Sequence, residues 1–222
     1  MKDIPKSTTF ELAVAVHIQA TLRQAWFTQE GDRTRVLVYV RMRSQADALA
    51  EALGCARYYS DSGTEEEKAE VLTRWIEGRR SRILVATSAL AGVDYRHVRV
   101  AFHVGEPGGG AIDYAQDVGR VGRDGQGGLC AVFLPPRWQA TYNREGGELL
   151  SENTKAMQRF LDSPRCRMVP LSEYLDGRGQ SCKNEATACD RCRLMGLPSN
   201  SILRHESLLT SLYSPHIPPY ST

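Results

Sequence analysis

Two hydrophobic rhythms alternate along the chain. Short continuous apolar runs, Val36 to Val40 (VLVYV), Ile83 to Thr87 (ILVAT), Val98 to Val104 and Leu129 to Leu134, have the length and β-branched content of strands buried on both faces of a parallel sheet. Ala56 to Tyr59 predicts a further short strand. Between these runs the apolar positions take helical spacing. Ser44 is placed to cap a helix over Gln45 to Leu53, which Gly54 closes. Thr64 is placed to cap a second helix, with Glu65 to Glu67 suited to its positive N-terminal end, running to about Ile76 and stopping at Gly78. Ile112 to Val118 predicts a third and Glu148 to Leu161 a fourth. Ahead of the first strand, Phe10 to Phe27 lacks glycine and proline and carries apolar residues at Leu12, Val16, Ala20 and Phe27, the pattern of an amphipathic helix; Gly31 to Thr34 is a turn.

Strand and helix alternating at this spacing predict an α/β fold, a parallel sheet with helices on both faces. Ligands gather at the C-terminal ends of such strands, so the loops beginning at Arg41, Ser60, Thr87, Gly105 and Pro135 are candidates. The polar stretch 137–147 reads as a linker or surface loop, and a different region begins at Cys166. The Ser- and Pro-containing tail from Pro198 is expected to be poorly packed beyond Leu212.

Composition adds bounds. A chain of 222 residues with 41% hydrophobic residues fits one large domain, or one with a small companion. It has no run of eighteen apolar residues, so no transmembrane helix and no membrane partner are expected, and the first residues lack the apolar core of a signal peptide. The net charge of +2 excludes a polycation. Lysine occurs only at Lys2, Lys6, Lys68, Lys155 and Lys183, so arginine supplies most of the positive charge. That choice suits bidentate phosphate recognition, and it equally fits a GC-rich coding bias.

Two constellations carry candidate chemistry. The first is Asp113 to Gly128, DYAQDVGRVGRDGQGG. On a helix, Gln116 and Arg120 lie four apart on one face, and Arg123 follows among glycines that let the backbone approach a ligand. Two guanidiniums beside such a bend suit a spread negative charge such as a transferring phosphoryl group; a solvated Arg-Gly surface loop is the plainer alternative. The second is Cys166, Cys182, Cys189 and Cys192, spaced C-x15-C-x6-C-x2-C. Four thiolates can close a tetrahedral structural Zn2+ site, and a reducing compartment argues against disulfides. Cys55 and Cys130 sit in or beside apolar stretches and read as small buried hydrophobes. No strand is followed by G-x-G-x-x-G, against a dinucleotide-binding enzyme.

The motif QDVGRVGRDG, Gln116 to Gly125, resembles the last conserved motif of superfamily-two helicases, in the RecQ form Q-x-x-G-R-x-G-R-D-G. VLVYVRMRSQADALAEAL and ILVATSALAGVDYRHVR are similar to earlier motifs of that family's second RecA-like domain, and YYSDSG stands at its Y-H-A-G, with Asp61 in place of histidine. CRMVPLSEYLDGRGQSCKNEATACDRC resembles the family's helical zinc-binding subdomain, including the basic residue after the first cysteine and the C-D-x-C ending. The resemblance spans roughly Arg35 to Cys192 and implies residues 1–30 as a helical lead-in, 31–147 as the helicase C-terminal RecA-like domain, 148–197 as the four-Cys subdomain and 198–222 as a flexible tail. It implies Gln116, Arg120 and Arg123 as catalytic, with both arginines reaching the γ-phosphate of ATP; Gly92 and Asp94 as nucleotide-facing; Arg43 and Thr87 as contacts to the DNA backbone; and the four cysteines as zinc ligands. Read from the residues alone, Thr87 is a strand-end hydroxyl, Asp94 a turn residue and Arg43 half of a surface ion pair. His103 stands where the family often has a histidine, and a hydrogen-bonded core histidine is the alternative.

No Gly-Lys dipeptide and no D-E-x-H occur in the 222 residues. A phosphate loop and its acidic partner are needed to hold ATP and Mg2+. The resemblance therefore implies the second half of an ATP-dependent 3′–5′ DNA helicase, acting on single-stranded or forked DNA with a separate first motor domain, inactive alone, and nuclear or otherwise cytoplasmic. The alternative is a non-catalytic zinc-containing module, derived from a helicase, that binds nucleic acid or protein.

Overall fold

The computed structural model describes residues 9–24, 33–87, 90, 93–142, 150–182, 188–196 and 210–215. Five parallel strands, β1 (Arg35–Val40), β2 (Ala56–Tyr58), β3 (Ile83–Ala86), β4 (Val98–Val104) and β5 (Leu129–Leu134), form a sheet in the order β2-β3-β1-β4-β5. The chain passes from β1 to β2 at the sheet edge, returns to β3 between them, then crosses to β4 and β5 on the other side of β1. The sheet direction therefore switches between β1 and β4, the position at which a crevice opens in such folds.

Pleating sends alternate residues to opposite faces. Val36, Val38, Val40, Val100, Phe102, Ala131 and Phe133 face α1 (Thr9–Leu22) and α2 (Arg43–Leu53), burying Ile18 and Leu49 among them. Leu37, Tyr39, Ala101, Cys130 and Val132 face the other way. There they meet Trp75 of α3 (Glu65–Ile76) and Tyr114 of α4 (Gly110–Val118). The same cluster takes in Met157, Phe160 and Leu161 of α5 (Glu152–Asp162) and Leu171 of α6 (Met168–Asp176). The helices that lead to the cysteines thus share the core of the sheet.

The helix ends follow local chemistry. Thr64 Oγ1 accepts from Glu67 N–H while Glu67 Oε2 accepts from Thr64 N–H, a complete capping box. Gly54 ends α2 in a left-handed conformation, φ 62°. Arg35, almost wholly buried at the start of β1, donates to the last carbonyls of α3, Trp75 O at 2.5 Å and Ile76 O at 2.7 Å, from strand to helix.

Several boundaries differ from the sequence reading. Helix α2 starts at Arg43 with Met42 at its cap position, where Gln45 Oε1 accepts from Met42 N–H at 3.3 Å; Ser44 lies inside the helix. Helices α4 and α5 start at Gly110 and Glu152, and β2 ends at Tyr58. In α1 the buried face is Val14, Ala15 and Ile18, while Leu12 is 49% and Val16 67% exposed. This helix is apolar nearly all round, so spacing alone did not say which stripe the sheet would take. Phe27 and residues 143–147 lie outside the described residues. In the segment read as a flexible tail, β6 (Thr210–Pro215) pairs antiparallel with β5. An uncovered β5 would present a row of unpaired backbone groups, which a sixth strand satisfies.

Candidate functional site

Helix α4 begins near the C-terminal end of β4 and runs back along the sheet, as a crossover helix must. Its C-terminal residues therefore arrive where β4 starts: Gly122 N–H donates to Val98 O at 2.9 Å. The arginine segment lies at this edge, not at the strand ends that the fold rule selects. Gly119 closes α4, and two tight turns follow, Arg120 N–H to Asp117 O at 3.2 Å and Val121 N–H to Val118 O at 3.0 Å. Gly122 takes φ 71°, a left-handed bend that a side chain resists.

The bend presents the predicted residues together. Arg123 Nη1 lies 2.6 Å from Asp94 Oδ1, and Arg123 Nε donates to Gly119 O at 3.2 Å. Arg120, half-buried, donates from Nη1 to Val93 O at 2.7 Å, with its Nε 4.0 Å from Asp117 Oδ1. Gln116 is exposed on α4. Asp94, read from the residues as a turn group, is an ion-pair partner of the arginine it flanks. Gly92 lies outside the described residues.

Asp124, which the sequence reading passed over, anchors this segment. Its carboxylate takes both Arg99 nitrogens, at 2.8 and 2.7 Å, and His97 Nδ1 at 2.7 Å; it also accepts from Gln126 N–H at 3.1 Å. Burial alone would raise the Asp124 carboxyl, but these hydrogen bonds, led by Arg99, hold it far below the usual carboxylate range. The only sequence signal was Asp-Gly inside an otherwise cationic loop.

At the opposite edge, Arg43 and Thr87 follow β1 and β3, neighbours in the sheet. Arg43 is exposed, 2.5 Å from Asp61 and 5.8 Å over the Tyr59 ring. Thr87 N–H donates to Tyr58 O at 3.2 Å. A cavity of about 270 Å³ opens at the ends of β1 and β4, lined by Tyr39, His103, Asp113, Tyr114 and Asp117 beside the glycine loop 105–109. His103 is a core histidine, 3% exposed, stacked on Tyr39 and paired through Nε2 with Asp117 at 3.2 Å.

The four cysteines converge. The Sγ atoms of Cys166, Cys182, Cys189 and Cys192 all lie within 4.8 Å of one another, with Cys166 and Cys182 3.6 Å apart. Tetrahedral bonds of about 2.3 Å to zinc would set sulfurs about 3.8 Å apart, so the cluster has the size and donor set to hold a metal ion. Burial opposes ionisation of Cys166, yet the Cys182 and Met168 N–H groups and neighbouring thiols hold it below the ordinary thiol value. Burial pushes Cys192 up to about 11 and Cys182 further. Four crowded thiols cannot all ionise without a cation. By contrast Cys55 and Cys130, both pushed up to about 12 by burial, are inert thiols.

The two residues that mark the cysteine motif pair with each other. Arg167, 1% exposed, grips Asp190 of α7 (Asp190–Gly196) through Nε at 2.7 Å and Nη2 at 2.9 Å. Its Nη1 donates to Phe160 O at 3.0 Å and Leu161 O at 2.7 Å, the last carbonyls of α5. The guanidinium thus ties the cysteine pair to a helix of the sheet's own core.

Comparison with known proteins agrees with this geometry. Residues 17–125, just under half of the chain, match the model of the helicase conserved C-terminal domain. The ATP-dependent helicase wrn-1 of Caenorhabditis elegans is 28% identical over 173 residues, 72% of this chain and 16% of that protein. The DEAD-box ATP-dependent RNA helicase 46 of Arabidopsis thaliana is 30% identical over 131 residues, 57% of this chain and 20% of that protein. The ATP-dependent DNA helicase RecQ of Synechocystis is 29% identical over 131 residues, 55% of this chain and 27% of that protein. The chain thus spans less than a third of the length of each. The parallel sheet is that of a RecA-like domain, and residues 17–125, with the arginine turn near their end, match the helicase conserved C-terminal domain.

Proposed function

We propose that the chain is the second motor half of a RecQ-type ATP-dependent 3′–5′ DNA helicase. In this reading Arg120 and Arg123 meet the γ-phosphate of ATP and Mg2+ held by a first RecA-like domain, Gln116 links nucleotide state to domain closure, and Gly92 and Asp94 line the nucleotide side. Arg43 and Thr87 meet the phosphate backbone of single-stranded or forked DNA at the other edge of the sheet. Zn2+ on Cys166, Cys182, Cys189 and Cys192 supplies a closed structural site with no role in chemistry. A nuclear location belongs to the same reading.

The cysteine cluster carries the choice between helicase families. RecQ and DEAD-box relatives match the sheet domain about equally. What favours RecQ is a four-thiol site placed directly after that domain and clamped to it through Arg167 and Asp190. An arginine finger contributes only against a nucleotide already positioned, and the 222 residues contain no phosphate-loop motif.

The discriminating experiment is binding of the chain to matched single-stranded DNA and RNA across a salt series. Tighter binding to DNA, falling with salt and weakened by Arg43→Ala, is expected. Preference for RNA would overturn the DNA reading. ATP hydrolysis by the 222-residue chain alone would overturn the need for a first domain.

A second reading, a non-catalytic binding module derived from a helicase, is favoured by one observation: Asp61 pairs with Arg43, occupying the guanidinium that DNA would need. Replacing Arg120 and Arg123 by alanine would then leave the biological role intact.

A further inference from the structure

Helix α4 carries Gln116 and leads directly into Arg120 and Arg123, yet it has no cap of its own. The residue at its cap position is Gly109, which makes no side-chain hydrogen bond. A helix start without an acceptor leaves N–H groups unsatisfied. The missing acceptor comes from another helix. Asn153, in the first turn of α5, accepts from Ile112 N–H through Oδ1 at 3.0 Å and donates from Nδ2 to Gly109 O at 2.7 Å.

The fit is close. Gly110 has φ 74°, and a Cβ there would lie 2.7 Å from Asn153 Nδ2. Two helix N-termini meet at this point, and the amide oxygen offers partial negative charge where both need it. Further along α5, Phe160 packs on Tyr114 with ring centroids 5.0 Å apart. The far end of α5 is held by Arg167, and through it by Asp190 between Cys189 and Cys192. A continuous set of contacts therefore runs from the cysteine cluster to the start of the arginine-bearing helix.

We propose that Asn153 is a positioning residue for the arginine segment, a borrowed cap through which the cysteine-bearing unit sets where α4 presents Arg120 and Arg123. The proposal rests on the reading of those arginines as phosphate-facing groups. Asn153 acts through α4 and touches neither nucleotide nor DNA.

The test compares the full 222-residue chain with Asn153→Ala and Asn153→Asp. Amide hydrogen exchange is followed in 109–123, with 36–40 and 100–104 as references for the sheet. Modification of Arg120 and Arg123 by phenylglyoxal is mapped in parallel. Asn153→Ala is expected to speed exchange at Ile112 and the rest of the first turn of α4 roughly two- to thirtyfold, the range of a lost helix cap. It should also raise modification of Arg120 while the sheet segments stay unchanged. Asn153→Asp keeps the acceptor for Ile112 N–H and loses the donor to Gly109 O, so it should restore most of the protection. Exchange that rises equally in α4 and in the sheet would make Asn153 a stabilising contact only and overturn the proposal. Unchanged Arg120 modification, or failure of Asn153→Asp to rescue, would overturn it as well. Should Arg120→Ala and Arg123→Ala leave ATP turnover unaltered when the chain is paired with a first RecA-like domain, the phosphate-facing reading falls while the exchange results stand.

Discussion

Replacing Asp190 by asparagine removes one charge from a pair that the protein has almost sealed from water. Arg167 is 1% exposed and the Asp190 side chain 14%. The two nitrogens at 2.7 and 2.9 Å form a bidentate fork, and Arg167 Nη1 is committed to Phe160 O and Leu161 O, so it has no solvent to turn to. Breaking a buried pair by removing one partner costs about 3–5 kcal/mol. Asparagine keeps one acceptor oxygen, and the site is not fully dry, so the cost falls just below that range, about 2–3 kcal/mol. For a chain of this size each kcal/mol lowers the melting temperature by about 2–4 °C, so a fall of roughly 4–12 °C is expected. The assay is thermal unfolding followed by far-ultraviolet circular dichroism, with urea unfolding as a check. Arg167→Met should cost more, because it also strips two carbonyls at the end of α5 of their donor. A change below about 1 kcal/mol in both variants, the size of an exposed ion pair, would refute the argument that this bridge fastens the cysteine unit to the sheet.

Three further outcomes follow from other sites. Purified protein should carry one zinc per chain, and Cys189→Ser should lose it and unfold more readily, since site and fold form together; metal analysis of soluble, folded protein showing none would sink the assignment. Asp124 is depressed in the folded state, so its stabilisation is present above the unfolded carboxylate value of about 3.9 and drains away as pH falls below it. Asp124→Asn should flatten stability against pH between about 4 and 2, and an unchanged acid profile would contradict the Arg99 and His97 contacts. Asp61→Asn frees Arg43 from its 2.5 Å partner and should tighten single-stranded DNA binding up to about fivefold at low salt, the worth of an exposed pair; equal tightening in a Glu65→Gln control would reduce the effect to net charge.

How much was legible in the sequence differs from element to element. The runs at Val36 and Ile83 declared themselves as doubly buried strands because nothing polar interrupts them. Thr64 and Gly54 marked helix ends because cap chemistry is local. Helix α1 failed the same treatment: its sequence is apolar on every side, so the choice of Ile18 over Val16 as a buried residue waited for the sheet.

The sequence by itself determined the kinds of chemistry available, through residue types at fixed spacing: two arginines on a glycine bend, and four cysteines able to share one ion. Only the tertiary structure decided which groups meet. Asp124 with Arg99, Arg123 with Asp94, and Asn153 with the uncapped start of α4 are separated along the chain by 25, 29 and 41 residues. The direction in which α4 returns along the sheet placed the arginines at the start of β4 and away from the strand ends where Arg43 and Thr87 lie. Local propensity acts over a few residues. Contacts such as these depend on crossover direction and packing, which exist only once the whole core has formed.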